Sequence, residues 1–158
     1  MTAAGEEAMG RVVGLHVTRT RHARPEPVDA ARATPLGIEG DLHAAPGRSP
    51  NRQVLLMDAG DLRDLGLHPG DLREQVTVDL PGLMTLAAGT RLRLGAAVVE
   101  IHGPCEPCTH IGADLGVGDA EGLRERLRGR RGMLARVVEA SDIRVGDPVS
   151  LAHQTAPA

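Results

Sequence analysis

Hydrophobic residues in this chain fall in short runs broken by Gly, Pro and Asp, with little sustained helical periodicity. The clearest pattern is at 90–94, where Leu92 and Leu94 alternate with Arg91 and Arg93. Side chains that alternate faces define a half-buried strand, and Gly95-Ala96 turns it into a second strand at 97–101, a β-hairpin. Further strands are predicted at 11–17, at the apolar run 53–57, at 74–78, and at 133–138 and 148–151, these last two joined by 141–147. Two helices interrupt them. Asp58 reads as the N-cap of a helix that runs through Leu65 and ends on Gly66 at C′. A second helix is expected at 119–127, with Leu123 and Leu127 four apart on one face.

His68-Pro69-Gly70-Asp71 is a turn. Residues 20–32, rich in Arg, Pro and Ala, form the one long irregular stretch, either a surface excursion or part of a site. Residues 1–10 and 152–158 are small and polar and are expected to be loosely ordered, which places a single domain at 11–151. About seven short strands with two helices and no βαβ rhythm predict a mostly β (α+β) barrel with a few peripheral helices, and disfavour Rossmann and thioredoxin folds.

Composition then narrows the chemistry. Of 158 residues 41% are hydrophobic, enough for a core, but Phe, Tyr and Trp are absent, so that core must be aliphatic. All 18 basic residues are Arg. Without Lys the chain cannot form its own Schiff base with pyridoxal phosphate, and without aromatic rings it has no platform for unpaired bases. A net charge of −3 gives no general attraction to nucleic acid or anionic membrane. The local cluster Arg124-Glu125-Arg126-Leu127-Arg128-Gly129-Arg130-Arg131, with Glu and Gly interleaved, reads as a solvated helix end. No apolar run approaches the ~20 residues of a membrane span, and the acidic start is unlike a signal peptide, so a cytoplasmic location is expected.

Both cysteines lie in Gly103-Pro104-Cys105-Glu106-Pro107-Cys108-Thr109-His110, directly after the predicted hairpin. Two thiols at this spacing, in a loop braced by prolines, can clip a soft metal, form a disulfide or carry a persulfide. In a cytosolic chain, metal, sulfur or redox chemistry takes precedence over a structural disulfide. Three other readings compete. His102, Cys105, Cys108 and His110 resemble a zinc ligand set, although one loop rarely supplies all four ligands. Dithiol exchange would need the pair to open a helix after a βα unit, and two small buried thiols would need no chemistry at all.

Several segments, taken in order, resemble the MOSC family, named for the C-terminal domain of molybdenum cofactor sulfurases. They are Gly37-Ile38-Glu39-Gly40-Asp41-Leu42-His43, Arg52-Gln53-Val54, Pro69-Gly70-Asp71-Leu72-Arg73-Glu74, Gly89-Thr90-Arg91-Leu92-Arg93-Leu94-Gly95, Pro104-Cys105, Arg131-Gly132 and Ile143-Arg144-Val145-Gly146-Asp147. The likeness runs over about 11–151. It implies a MOSC-type β-barrel with a pocket for molybdenum cofactor (molybdopterin) or a related sulfur species. The cysteine after proline, Cys105, would be the functional thiolate, as molybdenum ligand or sulfur carrier. Cys108 would be a second ligand, a resolving thiol or a passenger.

The same resemblance implies that Arg73 contacts the anionic cofactor and makes Arg52, His43, Gln75 and Thr77 further candidate contacts. Gln75 stands where the family usually has Asn, one methylene shorter. The chain carries neither the pyridoxal-phosphate desulfurase domain of full sulfurases nor the extra N-terminal domain of amidoxime-reducing relatives, so sulfur or electrons are expected from a cysteine desulfurase or reductase partner. Two functions follow from the resemblance: reduction of N-hydroxylated compounds with a partner reductase, or a non-enzymatic carrier of sulfur or cofactor. Neither nucleic acid nor membrane is an expected partner.

Overall fold

The computed structural model describes residues 7–107 and 110–152. In chain order the elements are β1 (Ala8–Val17), β2 (Glu26–Pro27), β3 (Ala30–Thr34), β4 (Gly37–Ile38), β5 (Val54–Asp58), α1 (Ala59–Asp64), β6 (Val76–Asp79), β7 (Arg91–Leu94), β8 (Ala97–Pro104), α2 (His110–Leu115), α3 (Ala120–Arg126), β9 (Met133–Glu139), β10 (Ser141–Arg144) and β11 (Pro148–Leu151). Seven strands pair in the order β11-β7-β8-β9-β5-β6-β1, and β11 pairs back onto β1, which closes a barrel; β2 is an extra strand beside β1. Closure removes the sheet edges that an open sheet would expose.

The hairpin that alternation predicts is present, with Leu92 facing Val99 and Leu94 facing Ala97. Leu92 and Leu94 are sealed in the barrel interior with Val12, Leu15, Leu56, Val76, Val78, Val99, Ile101 and Val149. β5 and β6 run parallel, with Leu56 opposite Val76, and α1 makes the crossover between them. α1 has the predicted cap: the Asp58 carboxylate accepts the Asp61 N–H, and Gly66 takes φ +72°. A second, smaller core lies under the helices, where Met57, Leu62, Leu65, Leu72, Ile111, Leu123 and Leu127 pack together. No helix of the described residues is long and apolar enough to cross a membrane.

Four short strands depart from the sequence expectation. The stretch 20–32 contains β2 and the start of β3, and the joining segment 141–147 contains β10; β10, β3 and β4 form a separate three-stranded sheet. Their residues, such as Ala30-Ala31-Arg32-Ala33 against Ser141-Asp142-Ile143, have weak strand preference and form a ladder because a partner distant in sequence presents free backbone groups. β1 begins at Ala8, ahead of the predicted 11, because Ala8 pairs with Ser150 where the barrel closes. β6 begins at Val76 rather than 74, since Glu74 and Gln75 are held by side-chain bonds before the ladder starts.

Candidate functional site

The cysteine loop leaves the barrel where β8 ends. Pro104 faces Met133 across the β8–β9 ladder, and one residue further the Cys105 N–H donates to the Gly132 carbonyl at 2.8 Å. Pro107 carries no N–H with which to prolong that ladder. Gly132 stands at φ +102°, and a Cβ there would lie 2.6 Å from the Leu56 carbonyl oxygen, so only glycine lets the carbonyl that anchors Cys105 approach β5. The Cys105 thiol is free and half-buried, with the Glu106 carbonyl 3.9 Å from Sγ. It is not sealed in aliphatic packing. Cys108 lies outside the described residues.

α2 follows the cysteine loop and forms one wall of a cleft of about 440 Å³. Pro25, Leu67, Pro69, Leu115 and Val117 give it apolar lining, and His16, His22, Arg24, Asp71, Arg73 and Asp114 its polar lining. A second cleft of about 410 Å³ adjoins it and shares His22, Arg73 and Asp114; its other walls are Arg21, Leu42, His43 and Arg48. One lobe therefore has an apolar wall, and the other is dominated by cationic and imidazole groups.

Arg73 stands at the junction. Its backbone is left-handed, φ +64°, a conformation that costs a non-glycine residue about 1 kcal/mol and persists only where surrounding contacts impose it. Those contacts are specific. The Arg73 N–H donates to the Gly70 carbonyl, and the buried Glu74 carboxylate grips the same turn, accepting from the Gly70 and Leu72 N–H groups and from the Thr77 hydroxyl. Gly70, at φ +91°, is held against the His16 ring, where a Cβ would lie 2.6 Å from Nε2. The Arg73 side chain donates through Nη1 to the Ala23 carbonyl at 3.0 Å, while Nε lies 4.0 Å from Asp114 Oδ2, beyond hydrogen-bond reach. The guanidinium thus keeps donors for an anion in the cleft.

A buried network supports the cationic lobe from below. Asp41 accepts from the Thr18 N–H at 2.8 Å, from the His43 N–H at 3.0 Å and from the Gln75 amide at 3.1 Å, and lies 2.9 Å from His43 Nδ1. Gln75 Oε1 in turn accepts the Leu55 N–H. Burial pushes the Asp41 carboxyl up, but the bonds from His43, Thr18 and Gln75 outweigh it and leave the group below the usual aspartate value. Glu74 goes the other way, because burial dominates the N–H groups, the Thr77 hydroxyl and the positive charge of Arg131. His16 is lowered by burial, opposed by Asp71, so its imidazole is neutral near pH 7.

The structure brings Arg73 and His43 into one cleft system and holds Gln75 and Thr77 behind them, with their polar atoms engaged inside the protein. Arg52 is exposed on the 3-10 turn Pro50–Arg52 and lines neither cleft. Cys105 also lines neither, and is linked to them through α2. Arg21, His22 and Arg24 join the site from the irregular stretch whose place in a site the sequence left open. Arg48 and Asp114 carried no sequence signal, since a lone Arg and a lone Asp are ordinary surface residues until the fold sets them opposite Arg73. Arg131 is a correction: in the charge cluster read as a solvated helix end, Arg124 and Arg128 do pair with Glu121 and Glu125, but Arg131 is buried, with 8% of its surface exposed. Its position just before β9 turns it inward.

The family model for the MOSC domain matches residues 41–150. No curated protein matches. Among solved structures, the YuaD protein from Bacillus subtilis is 22% identical with a TM-score of 0.79, covering 94% of this chain and 100% of its own. YiiM from Escherichia coli is 20% identical with a TM-score of 0.66, covering 93% of this chain and 72% of its own. YiiM from Geobacillus stearothermophilus is 17% identical with a TM-score of 0.65, covering 94% and 75%. These likenesses concern the fold.

Proposed function

The chain belongs to the MOSC domain family, and from that premise we propose that it binds an anionic, sulfur-bearing cofactor of the molybdopterin class, with Cys105 as the thiolate. The observation that carries this reading is Arg73: a strained residue at the meeting point of two clefts, with guanidinium donors to spare, beside the helix that continues from the cysteine loop. The cleft residues fit the phosphate and heterocycle of such a group, and Cys105, outside both clefts, is joined to them through α2. Arg73, Arg21 and Arg48, with His22 and His43, offer charge-assisted bonds to a phosphate. Pro25, Leu67, Pro69, Leu115 and Val117 offer an apolar wall to a heterocycle. Cys105 supplies the soft anionic sulfur that high-valent molybdenum or a labile sulfur atom favours. When bound, the cofactor supplies the metal and sulfur chemistry; the chain's own residues bind and orient it, with Gln75 and Thr77 positioning the Arg73 turn and the Asp41–His43 network.

A carrier role is favoured over a self-sufficient reductase by one further observation: Cys105 sits half-exposed at a strand end and outside both clefts, where a partner can reach it. In that role the Cys105 thiolate attacks the outer sulfur of a partner desulfurase's persulfide, forming a persulfide on Cys105 and releasing the partner's thiolate; no net oxidant is needed. A molybdenum-dependent reduction of N-hydroxylated compounds would require electrons from a partner reductase.

Elemental analysis and pterin fluorescence on protein loaded with cofactor test the reading. Molybdenum with pterin is expected in the parent, an at least tenfold loss in Arg73→Met, and retained pterin with lost metal or sulfane in Cys105→Ser. Stoichiometric zinc without pterin, or unchanged loading of Arg73→Met, would overturn it. The protein has no Phe, Tyr or Trp, so a near-ultraviolet absorption band on loading reports the bound species.

A further inference from the structure

Arg131 lies immediately before Gly132, whose carbonyl anchors Cys105, and its guanidinium has no hydrogen-bond partner among the described residues. Nε and Nη1 are both sealed from solvent and unpaired, while Nη2 is not among the sealed atoms. An arginine stays charged inside a protein, and a buried guanidinium with unmet donors is among the costliest arrangements a fold can hold. The buried carboxylate whose field it feels, Glu74, does not relieve it: the Glu74 oxygens already accept from Gly70, Leu72 and Thr77, and none accepts from Arg131. No acceptor among the described residues meets these donors.

We propose that Arg131 is the core of a second anion-binding site, separate from the arginine cleft, that takes a small oxyanion of the phosphate, sulfate or thiosulfate class. The planar guanidinium suits such a group, which can bridge two N–H donors of one edge. Nη2 belongs to both forked edges and is the nitrogen through which an anion can enter. Arg131 lines neither described cleft, so this site does not depend on how the Arg73 cleft is occupied.

The test is titration of inorganic phosphate and of thiosulfate at fixed ionic strength into the parent, Arg131→Met, Glu74→Gln and Arg73→Met, followed by calorimetry and by thermal unfolding. The expected result is a binding component with a rise in melting temperature that is present in the parent, persists in Arg73→Met and is lost at least tenfold in Arg131→Met, and at least threefold tighter binding of that component in Glu74→Gln. Arg73→Met should retain binding at the Arg131 site, which separates this site's failure from failure of the cleft reading. Tighter thiosulfate than phosphate would identify a sulfur oxyanion as the natural occupant, and equal binding a phosphate-type group. A parent that shows no binding, an Arg131→Met variant that keeps it, or weaker binding in Glu74→Gln overturns the proposal. Should Arg131→Met fail to fold, Arg73→Met still decides: binding lost together with the cleft arginine overturns the proposal.

Discussion

Two carboxylates that the sequence does not distinguish, Asp41 and Glu74, have opposite electrostatic fates. Asp41 is held below its ordinary value by the donors of His43, Thr18 and Gln75, so it contributes stability at neutral pH that is lost as pH falls below the usual aspartate range. Glu74 is raised by burial, so its effect has the other sign: stability present at low pH declines as pH rises through the window between its unfolded and folded values. Urea unfolding across pH 3–8 should show this, with Asp41→Ala costing about 3 kcal/mol at neutral pH and flattening the acid limb, and Glu74→Gln flattening the decline on the rising limb. Unchanged pH profiles in both variants would contradict the assignment. At this scale the resemblance singled out His43, Gln75 and Thr77, but whether each faces the cleft or supports it depended on which neighbour accepted its hydrogen bond.

Among the elements, α1 and the β7–β8 hairpin were legible because their signals are local. Asp58 shows what the local view misses. It caps α1 through Asp61, as the sequence predicts, and it also accepts the Leu80 N–H just after β6, fastening the parallel crossover. Asp58→Ala should therefore cost about 2 kcal/mol, above the ~1 kcal/mol of a simple N-cap, and Asp58→Asn should recover part of it; equilibrium denaturation measures both. β3 and β10 were not legible. Apart from the buried Ile143 their residues are mostly small or polar, and they form a ladder because β3 supplies β10 with backbone partners distant in sequence. The stretch 20–32 also delivers Arg21, His22 and Arg24 to the clefts, so the segment with the weakest secondary-structure signal carries much of the site.

The whole molecule turns on closure of the barrel, where Val149 of β11 lies opposite Leu94 of β7 on one side and Gly10 of β1 on the other. With no aromatic side chain to anchor it, the interior is a jigsaw of Leu, Val and Ile, and a charge in it has no partner. Val149→Asp should lower stability by more than about 4 kcal/mol or abolish the cooperative transition followed by far-ultraviolet circular dichroism, whereas the same change at exposed Val145 should move it by less than about 0.5 kcal/mol. The sequence alone determined the mostly β class, the aliphatic core, the cysteine loop after the hairpin and the family, because these follow from periodicity, composition and ordered motifs along one dimension. Only the tertiary structure decided that Arg73 lines one cleft with Arg21 and Arg48, that Asp41 rather than solvent holds His43, and that Arg131 is turned inward with no acceptor for Nε and Nη1 among the described residues. Those facts depend on which distant backbone and side-chain groups meet once the barrel closes, and no local pattern records that meeting.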